Sequence, residues 1–164
     1  MDNGKIMQQQ LAHLVKSAES YCAKNQQRLT PNRREVLSIL ASHHRPMSAY
    51  EILEAMQPKQ TSIKPPTVYR ALKFLLEAGL IHNIESTNQY LICNHLDHPH
   101  QPQLLVCQVC RRVEEVPLNE DMYKQLKDSA HDHGFHLIHH AIELHGICHN
   151  CQEPEGSDHG CKSD

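Results

Sequence analysis

Apolar positions in the first half of the chain recur every three or four residues, a period that predicts helices. One amphipathic helix is expected over about residues 6–26, on a stripe formed by Ile6, Leu11, Leu14, Val15, Ala18 and Cys22. A second helix should begin at Pro31, because Thr30 is a typical N-cap and proline is favoured at the first helical position. The chain therefore opens with two consecutive helices.

Two further helices and a hairpin follow. Ser48 and Glu51 have the spacing of a capping box, which predicts a third helix. A fourth begins at the Pro65-Pro66 pair and ends at Gly79, since glycine accepts the left-handed conformation that terminates many helices.

Alternating residues then predict two short strands, 80–85 and 89–93, around the turn-forming residues 86–88. Helices followed by a β-hairpin predict a winged helix-turn-helix domain over residues 1–93.

The second half of the chain has a different pattern. Residues 94–103 contain two prolines and several histidines and are predicted to be a hinge. Segments 104–109 and 113–116 are β-like, and Asn119 is the expected N-cap of a helix that ends near Gly134. A long strand is predicted over 135–145.

The fold class predicted from these elements is α+β. The winged helix-turn-helix is followed by a small α/β dimerisation domain over residues 104–152. Residues 153–164 are acidic and lack apolar periodicity, so we expect a disordered tail. His159 and Cys161 in that tail are expected to have no metal role.

Charge and composition divide the chain in the same place. Residues 1–92 hold 11 Lys+Arg against 7 Asp+Glu, whereas residues 93–164 hold 5 against 12. This asymmetry favours phosphate binding by the first half and cation binding by the second. Seven cysteines and fifteen histidines, with neither an apolar signal core nor a membrane span, predict a cytoplasmic protein with metal-binding thiols rather than disulfides.

The fourth helix has two chemically distinct faces. Steps of 100° place Val68, Leu72, Leu75 and Leu76 on one face and Arg70, Lys73 and Glu77 on the opposite one, with Tyr69 on the flank. An outward face of this kind suits the major groove of DNA, although an ordinary solvated face has the same pattern. The downstream hairpin favours the DNA-binding interpretation.

Two Cys-x-x-Cys pairs are the most specific local signal. Two such turns can offer four thiolates to one structural Zn²⁺, and the ligands would be Cys107, Cys110, Cys148 and Cys151. The strand, helix and strand predicted between the pairs would fold back and bring them together. Two disulfides or a redox pair are the alternatives, which a reducing compartment and the duplicated motif disfavour.

A second group of metal-ligand residues lies around the hinge. Its members are His82, Cys93, His95, His98, His100 and Glu115, with Glu114 as an alternative carboxylate. A thiolate with imidazoles favours zinc over manganese or iron. A metal bound here would connect the hairpin to the dimerisation domain and so couple metal binding to DNA affinity.

The chain resembles the ferric uptake regulator family from about residue 10 to 152. The matching segments are Arg-Leu-Thr-Pro-Asn-Arg at 28–33, Pro-Thr-Val-Tyr-Arg-Ala-Leu at 66–72, and both Cys pairs with Glu-Leu-His-Gly at 143–146. The resemblance implies a homodimeric metalloregulator that represses transcription when its sensing metal is bound. Residues 64–70 and 84–93 look like the zinc uptake regulator branch.

The resemblance also implies residue roles. The expected DNA-binding residues are Lys64, Thr67, Tyr69, Arg70 and Lys73, and the structural zinc ligands are the four cysteines of the two pairs. The regulatory zinc of this branch would be held by His82, Cys93, His100 and Glu115, and His98 competes with His100 for its position. His140 matches a further metal site of other branches, which is not part of the expected set.

The predicted function is a zinc-responsive repressor of zinc uptake genes, with two zinc ions per subunit, a homodimeric state and double-stranded promoter DNA as partner. Neither a membrane nor a small-molecule substrate is expected. The alternatives are an iron- or manganese-sensing member of the family and a zinc buffer protein. An enzyme is not expected, because neither His-Glu-x-x-His nor the His-x-Glu and Pro-Cys-x-x-Cys pattern of zinc deaminases is present.

Overall fold

The computed structural model describes residues 3–43, 45–96, 100–138 and 141–152. The chain divides into two compact units, Met1–His98 and Pro99–Asp164. No helix in these described ranges is long and apolar enough to cross a membrane. His98, His140 and the tail with His159 and Cys161 lie outside the described residues.

Four helices make up most of the first unit, and they are α1 (Asn3–Lys24), α2 (Pro31–His43), α3 (Ala49–Met56) and α4 (Pro65–Glu77). The predicted starts of α2, α3 and α4 are confirmed, whereas α1 covers Asn3–Lys24 rather than residues 6–26. The Thr30 hydroxyl accepts a 3.4 Å hydrogen bond from the backbone N–H of Arg33. At α3 the Ser48 hydroxyl accepts from the Glu51 N–H at 3.2 Å, and the Glu51 carboxylate accepts from the Ser48 N–H at 2.7 Å.

Helix α4 ends in a left-handed turn at Gly79, as the sequence predicts. Gly79 has a φ of +69°, and its N–H donates to the carbonyl of Leu76 at 3.0 Å while the N–H of Leu80 donates to Leu75 at 3.0 Å. These two bonds form a Schellman motif, which satisfies carbonyls that the helix leaves open. The chain therefore leaves α4 in the direction of the hairpin.

The sheet of the first unit has three strands, β1 (Met47–Ser48), β2 (Ile81–Ile84) and β3 (Gln89–Ile92), in the order β1-β3-β2. Strands β2 and β3 are antiparallel and form the predicted hairpin, which we call the wing. Asn88 turns the wing with a φ of +52°. Strand β1 was not predicted; it consists of two residues and pairs with β3.

The core of the first unit lies between the helices and the wing. The largest fully buried side chains there are Leu14, Leu37, Leu40, Met47, Ile52, Met56, Leu72, Leu75, Leu80, Ile81 and Ile84. Phe74 is also buried, with the guanidinium carbon of Arg33 3.8 Å from the centre of its ring. Helices α2, α3 and α4, followed by the wing, form a winged helix-turn-helix, with α4 in the position of the recognition helix.

The second unit consists of β4 (Pro102–Cys107), β5 (Val113–Pro117), α5 (Glu120–Asp132) and β6 (Ile142–Gly146). The sheet order is β5-β4-β6, with β4 antiparallel to β5 and parallel to β6. A parallel pair needs a crossover connection, and the segment containing β5 and α5 supplies it. The predicted cap is confirmed, because the Asn119 side chain accepts from the Asp121 N–H at 2.8 Å.

Three boundaries of the second unit differ from the sequence prediction. The prediction of one long strand over 135–145 is wrong, because β6 covers only Ile142–Gly146 and residues 135–138 are not in a strand. Its partner β4 offers pairing positions only from Gln103 to Cys107. Strand β4 ends at Cys107 rather than at residue 109, because the chain turns there, and it begins at Pro102, inside the predicted hinge.

Candidate metal centres and nucleic-acid interface

The two Cys-x-x-Cys segments meet because two parallel strands end together. We call residues 107–110 the first knuckle and residues 148–151 the second knuckle. Cys107 at the end of β4 is paired with Gly146 at the end of β6, and the N–H of Gln108 donates to the Gly146 carbonyl at 2.8 Å. The knuckles therefore leave neighbouring strands at the same edge of the sheet.

The four sulfur atoms, of Cys107, Cys110, Cys148 and Cys151, lie within 4.8 Å of one another. The Cys110 and Cys148 sulfurs are 3.7 Å apart. A tetrahedral site with Zn–S bonds of about 2.3 Å has sulfur–sulfur edges of about 3.8 Å. The donor set and this spacing fit one zinc ion in a closed, all-thiolate site.

Backbone N–H groups around the first knuckle favour a thiolate at Cys107. The N–H of Cys148 donates to the Cys107 sulfur at 3.4 Å. This bond, followed by those from the Cys110 and Val109 N–H groups, lowers the pKa of Cys107 to about 6. The Arg112 N–H also favours the Cys110 thiolate, but the neighbouring Cys107 and Cys148 sulfurs and burial raise the pKa of Cys110 overall.

Two of the predicted regulatory ligands lie in the first unit. His82 is in β2, and Cys93 follows the last residue of β3 and donates its N–H to the Leu80 carbonyl at 3.0 Å. A ring nitrogen of His82 and the Cys93 sulfur lie within 4.8 Å of each other. Cys93 is 2% exposed, so the wing supplies a buried thiol beside a half-buried imidazole.

The other two predicted ligands lie in the second unit. His100 Nε2 is 2.8 Å from a carboxylate oxygen of Glu115, whose side chain is fully buried. Glu114, the alternative carboxylate, points to the other face of β5, where it is exposed and 3.3 Å from Arg112. The burial of Glu115 and its contact with His100 favour Glu115 as the ligand.

Helix α4 presents its polar residues away from the core. Tyr69, Arg70 and Lys73 are exposed, whereas Val68, Ala71, Leu72, Phe74 and Leu75 are buried. Lys64 at the N-cap is exposed and Thr67 is partly exposed. The five predicted DNA-binding residues are therefore positioned on or at the start of one helix whose opposite side anchors it in the core.

Residues 24–145 match the model of the Ferric uptake regulator family. The chain belongs to the ferric uptake regulator family. Within it, the chain is 42% identical over 149 residues to the zinc uptake regulation protein of Escherichia coli strain K12, covering 89% of this chain and 85% of that protein.

Two solved structures are similar over almost the whole chain. One is a zinc uptake regulator complexed with zinc and DNA, with 40% identity, a TM-score of 0.76, and coverage of 88% of this chain and 94% of that one. The other is the crystal structure of holo XcZur, with 34% identity, a TM-score of 0.73, and coverage of 86% and 97%. Membership of the ferric uptake regulator family places the chain among transcriptional regulators.

Sequence reasoning missed one polar group beside the knuckles. Glu143, His145 and Gln108 form a short chain of contacts within the second unit. Side chains alternate between the two faces of a strand, so Glu143 and His145 lie on the same face of β6, and their contact could have been predicted from the sequence. The contact with Gln108 depends on the parallel register, which the sequence does not contain.

Proposed function

We propose that this protein is a zinc-responsive transcriptional repressor of zinc uptake genes, with zinc as corepressor. It acts in the cytoplasm, as a homodimer on double-stranded promoter DNA. The observation that carries the proposal is the similarity, over nearly the whole chain, to zinc uptake regulators, one of which was solved with zinc and DNA.

Cys107, Cys110, Cys148 and Cys151 are the proposed structural zinc ligands. When zinc is bound there, it supplies a cross-link between β4 and β6 through the two knuckles. Four protein thiolates leave no open coordination position for a substrate or a water molecule. For this reason the proposal includes no enzymatic activity and no small-molecule substrate.

His82, Cys93, His100 and Glu115 are the proposed regulatory zinc ligands. The first pair belongs to the wing and the second to the dimerisation unit, so a site completed by all four couples the two units. His100 and Glu115 now contact each other at 2.8 Å, and both must turn their donor atoms to the metal. The Cys93 thiolate favours zinc over iron or manganese, which prefer harder ligands.

The coupling needed for regulation is small. A typical allosteric coupling of about 1–3 kcal/mol changes affinity by roughly 5- to 150-fold. Fixing the wing relative to the dimerisation unit would restrict the two recognition helices of a dimer to the spacing of their half-sites. Zinc binding and DNA affinity then rise together.

The dimerisation surface is proposed to lie on the second unit. Helix α5 is amphipathic, yet it contains no buried residue, and its Met122 and Leu126 are exposed. Leu105 and Leu144, on neighbouring strands β4 and β6, are exposed as well. Apolar side chains on one helix and one sheet are typical of a surface that a second copy covers.

The proposal is tested by fluorescence anisotropy with a labelled promoter fragment of a zinc transporter gene, at one salt concentration. Tight binding is expected in zinc-buffered solution and loss of binding when zinc is chelated. Equal binding with matched Fe²⁺ or Mn²⁺ would instead indicate another metal-sensing branch. Absence of DNA binding under every condition would favour the zinc buffer alternative.

A further inference from the structure

A hydrogen bond between two side chains joins the first knuckle to strand β6, without involving the four sulfurs. Gln108, which follows Cys107 in the first knuckle, lies with its amide nitrogen 2.6 Å from Nδ1 of His145. His145 is on β6, three residues before Cys148. The bond thus connects the first knuckle to the strand that leads into the second knuckle.

Glu143 lies on the other side of the imidazole. Its carboxylate oxygen is 3.2 Å from Nε2 of His145, and the Glu143 side chain is 13% exposed against 38% for His145. The amide nitrogen of Gln108 can only donate, so Nδ1 accepts and the ring proton is on Nε2. Nε2 therefore faces the Glu143 carboxylate at ion-pair distance, without the geometry of a hydrogen bond.

The register of the sheet places this chain of contacts beside the four-cysteine group. His145 is paired with Val106, next to Cys107, and the N–H of Gln108 bonds the Gly146 carbonyl. One backbone bond and one side-chain bond consequently hold the first knuckle against β6 without using any thiolate. None of the three side chains is among the candidate zinc ligands.

We infer that Gln108, His145 and Glu143 form a positioning brace that holds the two knuckles together and slows the release of structural zinc. The inference rests on the four-cysteine zinc site proposed above. Loss of a bound metal ion would require the sulfurs of one knuckle to move away from those of the other, and they can do so only if the two knuckles separate. The brace would oppose that separation, so the four cysteines would retain a bound ion for longer.

The expected size of the effect follows from other metal sites, where removal of a residue that supports the ligands costs about 10- to 100-fold in metal affinity. The Gln108–His145 bond is exposed, so we expect the lower end of this range, roughly tenfold faster release. Glu143→Gln keeps the shape of the side chain but removes the negative charge that attracts the His145 imidazole. Its effect should be smaller than that of His145→Ala.

The experiment measures zinc release from the full-length, zinc-loaded protein into an excess of a chromogenic chelator. Cys93→Ser removes a proposed ligand of the regulatory site only. The phase of zinc release that persists in this variant is therefore assigned to the four-cysteine site. Gln108→Ala, His145→Ala and the double variant are compared with wild type, and Val109→Ala is the control, because Val109 is an exposed knuckle residue outside the brace. The absorption of the Co²⁺-loaded proteins checks that all four thiolates still bind.

Each single variant should release zinc about tenfold faster, with an unchanged cobalt spectrum, and the double variant should be no faster than either. Release at the wild-type rate would overturn the brace, as would effects that multiply in the double variant, because the two side chains would then act independently. If no zinc persists in Cys93→Ser, the assignment of zinc to the four cysteines itself fails. Should His145→Ala not fold, the exposed Gln108 and the isosteric Glu143→Gln still decide the result.

Discussion

Cys107 and Gly146 are paired at the ends of the parallel strands β4 and β6. That single pairing explains how the sulfurs of cysteines separated by two strands and a helix come within 4.8 Å of one another. Because the two strands run in the same direction, the turns that follow them emerge at one edge. The proximity of the four sulfurs is therefore a consequence of the sheet's connectivity.

Replacing Cys107 with serine should destabilise the second unit. Metal-binding free energy contributes directly to folding at such sites, so we expect a loss of at least about 3 kcal/mol and a melting temperature lower by roughly 6–12 °C. Zinc content by mass spectrometry and dimer content by sedimentation check the result. An unaffected dimer with full zinc content would contradict the structural role.

Replacing Cys93 with serine should leave a folded dimer whose DNA binding no longer responds to zinc. The wild-type response is expected to be about 5- to 150-fold, the range of typical allosteric coupling. Anisotropy titrations at two buffered zinc concentrations measure it. Cys22→Ser is the matched control, since Cys22 is a buried thiol of α1 outside both candidate sites. Unchanged zinc dependence in Cys93→Ser would remove Cys93 from the regulatory set.

Arg70→Ala and Lys73→Ala should weaken DNA binding in different ways. Both residues are exposed on α4. If Arg70 reads a base, its loss costs about 1–3 kcal/mol on the specific site and little on unrelated DNA. If Lys73 contacts phosphate, its loss weakens binding to DNA of any sequence. It also lowers the number of counterions released on binding, read from the salt dependence of the affinity, by about one. Anisotropy on specific and scrambled fragments over a salt series separates the two, and retained specificity in Arg70→Ala would exclude its reading role.

Stability should fall in acid partly through the capping box of α3. The Ser48 N–H, followed by the Arg45 side chain and the Ser48 hydroxyl, holds the pKa of Glu51 below its usual value despite partial burial. A carboxyl with a lowered folded-state pKa stabilises the protein above its unfolded pKa, and that contribution is lost as the pH falls through the folded value.

Glu51→Gln should accordingly lower the free energy of unfolding by about 1 kcal/mol at pH 7, with a smaller difference below about pH 4. Urea denaturation at both pH values measures the difference. Glu54→Gln is the control, because this substitution makes the same change of charge at an exposed position of the same helix. An equal effect of both substitutions would show that net charge, rather than the cap, is responsible.

Much of the first unit could be predicted from local sequence. Helix starts at Thr30 and Ser48, the end of α4 at Gly79 and the wing depend on residues close together in the chain, whose preferences act within one or two turns. The second unit was predicted less well. Strand β6 is shorter than its apolar pattern suggests, because pairing with β4 limits it and hydrophobicity alone does not.

The sequence by itself determined the ligand chemistry: which thiols, imidazoles and carboxylates are available, and which helix carries an outward cationic face. Those features follow from side-chain identity and from helical period, both of which are local. Only the tertiary structure decided that Glu115 rather than Glu114 contacts His100, that β1 joins the wing, and that Gln108 reaches His145. These contacts require strands distant in sequence to pair in one register, and register is fixed by the packing of the whole sheet.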